Sequence, residues 1–147
     1  MHRFEAQEVV ATGDQFVIWR RPTLVAMQVF GAIDDARSEI WQAALANEFA
    51  TRQYPRFYAM DVSKVDATLS MAGRYRTVSF VRNVLSKIEW AALLARGRPG
   101  PVPIVRALLR VISMPNITLC VSEAVFRLQV DAMLAGELPP TAIARWR

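Results

Sequence analysis

Catalysis needs a nucleophile with a base, or a cluster of metal ligands, and the side chains that could supply either are few in this sequence. The only histidine is His2 and the only cysteine is Cys120. One sits at the chain terminus and the other in the apolar run ITLCV, so neither a Ser–His nor a Cys–His pair is expected. A lone cysteine also excludes an internal disulfide and a cysteine metal cluster. Asp34 and Asp35 are adjacent acids just before a helical pattern, where a carboxylate has a capping use. Asp61 stands at the C-terminal end of an apolar run, the place where open α/β sheets hold ligands, although a carboxylate there also satisfies the turn after a strand. The stretch GRPGP, residues 97–101, has two glycines, but its prolines lack the N–H groups that a phosphate cradle uses. Thr68 and Ser70 remain. Both precede a helical stretch, where a phosphate would meet free N–H groups and the positive helix end, with Arg74 one turn on. They are candidate phosphoacceptors and equally ordinary helix caps. No enzyme activity, cofactor or metal is expected.

The elements that would position these residues follow from hydrophobic period. Thr12-Gly13-Asp14 reads as a turn and QFVIWRR as a short strand. Pro22 breaks it, and TLVAMQVF follows as a strand buried on both faces. Gly31 is expected to end that strand, after which Ile40, Trp41, Ala44, Leu45 and Phe49 recur at helical spacing. Pro55 precedes RFYAMDV, a second buried strand. A second helix should carry Met71, Tyr75, Val78, Val81 and Leu85 inward, with Asp66, Thr68 or Ser70 at its cap. IEWAALLA is compatible with a strand or with the tail of that helix. Beyond GRPGP a short apolar helix is expected over 103–112, then the strand ITLCV, then a final helix capped by Ser122. Two prolines at 139 and 140 end the regular pattern. The chain is therefore divided into an N-terminal extension (1–14), one domain (15–136) and an irregular tail (137–147). Trp19, Trp41 and Trp90 read as core, and Trp146 as part of the tail.

The resulting order, β-β-α-β-α-β-α-β-α, predicts an α/β fold with a mixed, mostly parallel sheet and helices mainly on one side. With GAID closing one strand and AMDVSKV closing the next, the chain resembles the STAS domain, the SpoIIAA-like fold of bacterial anti-sigma-factor antagonists and of the cytoplasmic part of sulfate transporters. The resemblance spans about residues 15 to 135. Gly31 to Asp34 match the Gly-x-[Leu/Ile]-Asp tetrad of that family, and Asp61-Val62-Ser63 look like its Asp-Leu-Ser; Gly31, Asp34 and Asp61 are thereby assigned structural roles. The chain also resembles a group of stand-alone STAS-like bacterial proteins that are likened to lipid-binding SEC14 domains. Antagonists carry Asp-Ser-Ser-Gly or Asp-Ser-Thr-Gly before the second helix, with one hydroxyl phosphorylated. Here the region reads VDATLSMAG: Asp66 stands for the aspartate and Thr68 or Ser70 for the hydroxyl, without the Ser-Ser-Gly.

The resemblance implies a non-catalytic regulatory or adaptor domain acting through protein–protein contact around the second helix. Charge supports such a surface. The chain is +5, yet the 56 residues from Ala67 to Ser122 hold eight basic residues and one acid, Glu89. Arg74, Arg76, Arg106 and Arg110 are the expected interaction residues, and the expected partner is a protein with an acidic surface. The alternative is a domain that binds lipid or an apolar small ligand at an anionic membrane surface. Nucleic acid is disfavoured, since no recognition motif accompanies the charge, and self-association is left open. The 53% hydrophobic fraction excludes disorder, and no apolar run reaches the ~20 residues of a membrane span. The first ten residues have no apolar signal core, so a cytoplasmic location is expected.

Overall fold

The computed structural model describes residues 8–51, 53–95 and 115–140. Six strands lie side by side in sequence order: β1 (Glu8–Gly13), β2 (Phe16–Arg20), β3 (Leu24–Ile33), β4 (Phe57–Ala67), β5 (Trp90–Leu94) and β6 (Ile117–Cys120). Among the described residues there are three helices, α1 (Asp35–Thr51), α2 (Met71–Leu85) and α3 (Glu123–Leu134). The first three strands pair antiparallel, and β3 to β6 pair parallel. Each parallel strand is added on the same side of its predecessor, so right-handed crossovers must carry their helices over one face. α1 and α2 obey this. Trp41, Leu45 and Phe49 of α1 and Val78, Val84 and Leu85 of α2 cover Val25, Met27, Tyr58 and Met60. α3 covers the opposite face, where Phe126, Val130 and Met133 meet Leu24, Ala26, Phe57 and Trp90. Alternate residues of β3 and β4 thus enter different cores, which is why their sequences lack a polar side.

The fold class follows the sequence reading, with differences in detail. Glu8–Gly13, read as part of an extension, is the edge strand of the sheet. A bulge between Val9 and Ala11 breaks its period of two and hides the strand from a pattern search. Gly31 does not end β3: it sits inside the strand at φ 83°, and pairing with β4 continues through Ile33. β4 likewise runs on past Val62 to Ala67. The ambiguous run around residue 90 is a strand, paired to β4 and β6, so tertiary pairing overrides the helix preference of its alanines and leucines. The helix expected over 103–112, with Arg106 and Arg110, and Trp146 lie outside the described residues.

At the N-terminal ends of the parallel strands, side chains tie the layers together. Thr23 Oγ1 donates to the Met133 carbonyl at 2.7 Å, and Arg56 Nη1 to the Gly136 carbonyl at 2.6 Å while its Nε pairs with Glu89. Arg20 of β2 bonds Glu48 of α1 at 2.5 Å, both largely buried. These contacts fasten this end; the starts of α1 and α2 lie at the other, beside the C-terminal ends of β3 and β4. Phe126 is 2% exposed and is the largest α3 side chain in its core. Phe126→Ala should cost about 3–5 kcal/mol of stability in urea denaturation, with no change in the α1–α2 face.

Candidate functional site

The C-terminal ends of β3 and β4 lead into two helix caps. Asp34 caps α1: the Arg37 N–H donates to its Oδ1 at 2.9 Å. Ser70 caps α2, its Oγ accepting from the Gly73 N–H at 3.1 Å. Asp35 joins the two. Its Oδ1 accepts from the Ser70 N–H at 2.9 Å, and its Oδ2 accepts the Ser70 hydroxyl proton. The approach is close enough that a Cβ on Gly73 would lie 2.1 Å from Asp35 Oδ1. Two further contacts continue the seam: Arg76 to Glu39 at 3.0 Å, and Gln42 Nε2 to Thr77 Oγ1 at 3.0 Å. The Ser70 hydroxyl, then the Ser70 N–H, then the charge of Arg76 hold the Asp35 carboxyl below its ordinary value of 3.8.

This seam sets which way α2 faces. With Gly73, Thr77, Val78, Val84 and Leu85 buried, Met71 and Tyr75 turn outward and are 73% and 67% exposed. The sequence pattern placed both in the core. Gly73 overturns that assignment, because only a glycine lets the first turn of α2 rest on Asp35. Ile40 of α1 is outward for a similar reason: the helix buries the line Ser38, Trp41, Leu45, Glu48 and Phe49 instead. Arg74 is exposed between Met71 and Tyr75.

The other candidate residues are placed as follows. Thr68 is exposed, and its N–H donates to the Ile33 carbonyl, one step beyond the β3–β4 ladder. Asp66 is exposed and does not cap α2. Asp61 is 4% exposed and lies within β4 rather than at its end. Its Oδ1 accepts from the Ser63 N–H at 2.8 Å and the Ser63 hydroxyl at 2.6 Å, which holds the bulge where Gln28–Asp61 pairing shifts to Phe30–Lys64. Cys120 is buried, and burial pushes its thiol up to about 11, so it is un-ionised at neutral pH. Among the described residues no three His, Cys, Asp or Glu side chains converge as metal ligands, and no helix is long and apolar enough to cross a membrane.

No protein-family model and no curated protein matches the sequence. Solved structures do match. Phosphorylated SpoIIAA, a Bacillus cell fate determinant, superposes with a TM-score of 0.53 at 14% identity, over 76% of this chain and 96% of that one. The fold is SpoIIAA-like. An anti-sigma factor antagonist from Mycobacterium paratuberculosis matches with a TM-score of 0.55 at 17% identity, over 83% and 99% of the two chains. An uncharacterised Shewanella loihica protein with a SpoIIAA-like fold matches at 0.53 and 13%, over 78% and 94%. The STAS-like resemblance drawn from GAID and AMDVSKV is therefore correct at the level of fold.

What the sequence reading missed is the contact of Asp35 with Ser70, 35 residues apart. One signal for it was available: an isolated glycine inside a helical pattern, at 73, marks close approach of another group. Because Asp35 is depressed in the folded state, its contribution is complete above its unfolded pKa and is lost as pH falls through the lower folded value. Asp35→Asn should lower the melting temperature at neutral pH, and the gap to wild type should begin to narrow only below about pH 4 and close as pH falls through the lowered folded value. Gly73→Ala should remove the same pH-dependent increment, since it displaces the carboxylate. A pH series of thermal melts checks both.

Proposed function

We propose that this chain is a non-catalytic regulatory or adaptor domain that binds a protein partner through the outward face of α2. The observation carrying this is the pair Met71 and Tyr75: large, exposed, one turn apart, and astride Arg74. Folding alone gives no reason to place a methionine and a tyrosine there. Aromatic anchors of this kind supply much of the affinity of protein interfaces. The basic balance of residues 67–122 favours a partner with an acidic surface, with Arg74, Arg76, Arg106 and Arg110 as the contributing cations. The likeness to structures described as anti-sigma factor antagonists is in line with such a role.

The reading extends to a phosphorylation switch, and of the two candidate hydroxyls the geometry favours Ser70. Its Oγ donates to Asp35, and a phosphoryl group there would remove that proton and set about −2 of charge against the carboxylate. The clip between α1 and α2 would be opposed by repulsion, while Arg74 and the N-terminal N–H groups of α2 would draw the phosphate toward the docking face. Thr68 has no such coupling to α1. One of the SpoIIAA structures that this chain resembles is of the phosphorylated form.

The alternative, an apolar-ligand domain, draws on a cavity of about 130 Å³ between α2 and the sheet, walled by Trp41, Tyr58, Met60, Phe80 and Leu93. Its walls are apolar, and such a space suits a small hydrocarbon group.

The test is affinity capture from the native host with wild-type, Tyr75→Ala and Ser70→Glu proteins, followed by binding measurements on any captured partner. Tyr75→Ala should weaken binding roughly 30-fold, about 2 kcal/mol, and Ser70→Glu should change it in the same direction. A partner indifferent to both substitutions overturns the α2 assignment. A small apolar molecule carried through native mass spectrometry, with no protein captured, would favour the alternative.

A further inference from the structure

The sulfur atoms of this chain are unequally placed. Of its methionines, Met27, Met60, Met71 and Met133 lie among the described residues. Met27 and Met133 are fully buried and Met60 is 8% exposed, whereas Met71 is 73% exposed. Met71 opens α2, directly after the Ser70 cap that is tied to Asp35. Tyr75 follows one turn on, at the spacing of four that makes two side chains neighbours on a helix. Cys120 is buried, and burial pushes its thiol up to about 11, so the thiolate that oxidants attack is scarce. Among the described residues, the one sulfur open to a solute in water is therefore that of Met71.

We infer that Met71 is a site of reversible oxidation by peroxides, and that its oxidation turns the docking face of α2 off. The second half rests on the reading of that face as a docking surface. In the step, the thioether sulfur attacks one oxygen of hydrogen peroxide. An S–O bond forms as the O–O bond breaks, and sulfur gives up two electrons. The proton of the transferred OH passes to the departing hydroxide, which leaves as water. The product exchanges a flexible apolar side chain for a polar, chiral sulfoxide. A thioether suits an adaptable apolar contact. A sulfoxide oxygen must instead be stripped of water when a partner docks. Reduction by a dithiol through a methionine sulfoxide reductase restores the thioether, with the dithiol oxidised to a disulfide and the oxygen released as water.

The fold makes this chemistry selective and harmless to itself. The buried thioethers meet a peroxide only when the chain opens around them. Met71 belongs to neither core cluster, so its oxidation leaves both intact. The bonds from Ser70 to Asp35 are made by other atoms and stay in place. Gly73 is the common cause: the rotation of α2 that turns Tyr75 outward also puts the Met71 sulfur in water.

Hydrogen peroxide titration of the full chain, read by tryptic peptide mapping, tests the site. Peptide 65–74 carries Met71 and no other sulfur. In the folded chain Met71 should oxidise at least about tenfold faster than Met27, Met60 and Met133, and the difference should vanish in urea. Thermal melting should not change when Met71 alone is oxidised. Binding of the partner captured by the reduced chain should weaken about tenfold on peroxide treatment, and recover after methionine sulfoxide reductase with a dithiol. Met71→Leu should show no such change on treatment, whatever its own affinity. A folded chain in which Met71 reacts no faster than the buried methionines overturns the proposal. So does binding that peroxide leaves unchanged, or weakens equally in Met71→Leu. If Tyr75→Ala still weakens that binding, the docking surface stands and the oxidation switch alone falls. If neither change matters, or the reduced chain captures no protein, both fall.

Discussion

Parallel pairing of β3 with β4 is the constraint on which the rest of the molecule depends. The ladder runs from Leu24–Phe57 to Ile33–Ala67, and over its first half, Leu24–Met27 beside Phe57–Met60, both strands are buried on both faces. Parallel strands with two covered faces require helices above and below, and the single direction of strand addition puts α1 and α2 together on one of them. The same ladder also builds the site. By ending with Ile33 beside Ala67, it brings the first residue of α1 and the cap of α2 to the same height. Asp35 then meets Ser70 without any flexible linker having to be ordered.

Asp61 belongs to this account. One extra residue in β4 has to be accommodated where pairing passes from Gln28–Asp61 to Phe30–Lys64. A bulge leaves backbone groups unpaired, and the Asp61 carboxylate takes the Ser63 N–H that would otherwise be orphaned. A carboxylate that would read as a ligand holder is thus consumed in setting strand register. The register in turn decides whether residues 35 and 70 meet, since a slip of one residue would also turn every side chain of β4 into the wrong core.

Two helices keep apolar residues outside, for different reasons. On α2, glycine at 73 rotates the helix so that a stripe which would otherwise be core faces solvent. On α3, no rotation is involved: the helix carries apolar residues on two sides, Val125 and Leu128 outward and Phe126, Val130 and Met133 inward, and the sheet can cover only one. The α2 stripe also holds the exposed thioether of Met71, so the packing of that helix decides its chemistry as well as its shape.

Much of this was present in the order of residues. Alternation of apolar runs with helical periods specified the sheet, its mostly parallel pairing and the main core residues, because burial imposes a period of 2 or 3.6 wherever an element has one wet side. Ser70 and Asp34 were legible as caps because capping is local chemistry. Three things were decided only in the tertiary structure. Strand ends at Gly31 and Val62 were displaced because pairing partners, not the residues themselves, determine where a ladder stops. The edge strand at Glu8–Gly13 was masked by its bulge. The outward turn of Met71 and Tyr75 and the bond from Asp35 to Ser70 depend on how closely two helices approach, a distance between parts of the chain remote in sequence. Local periodicity carries the identity of each buried stripe, but only the packed neighbours determine which of two apolar stripes is the one they bury.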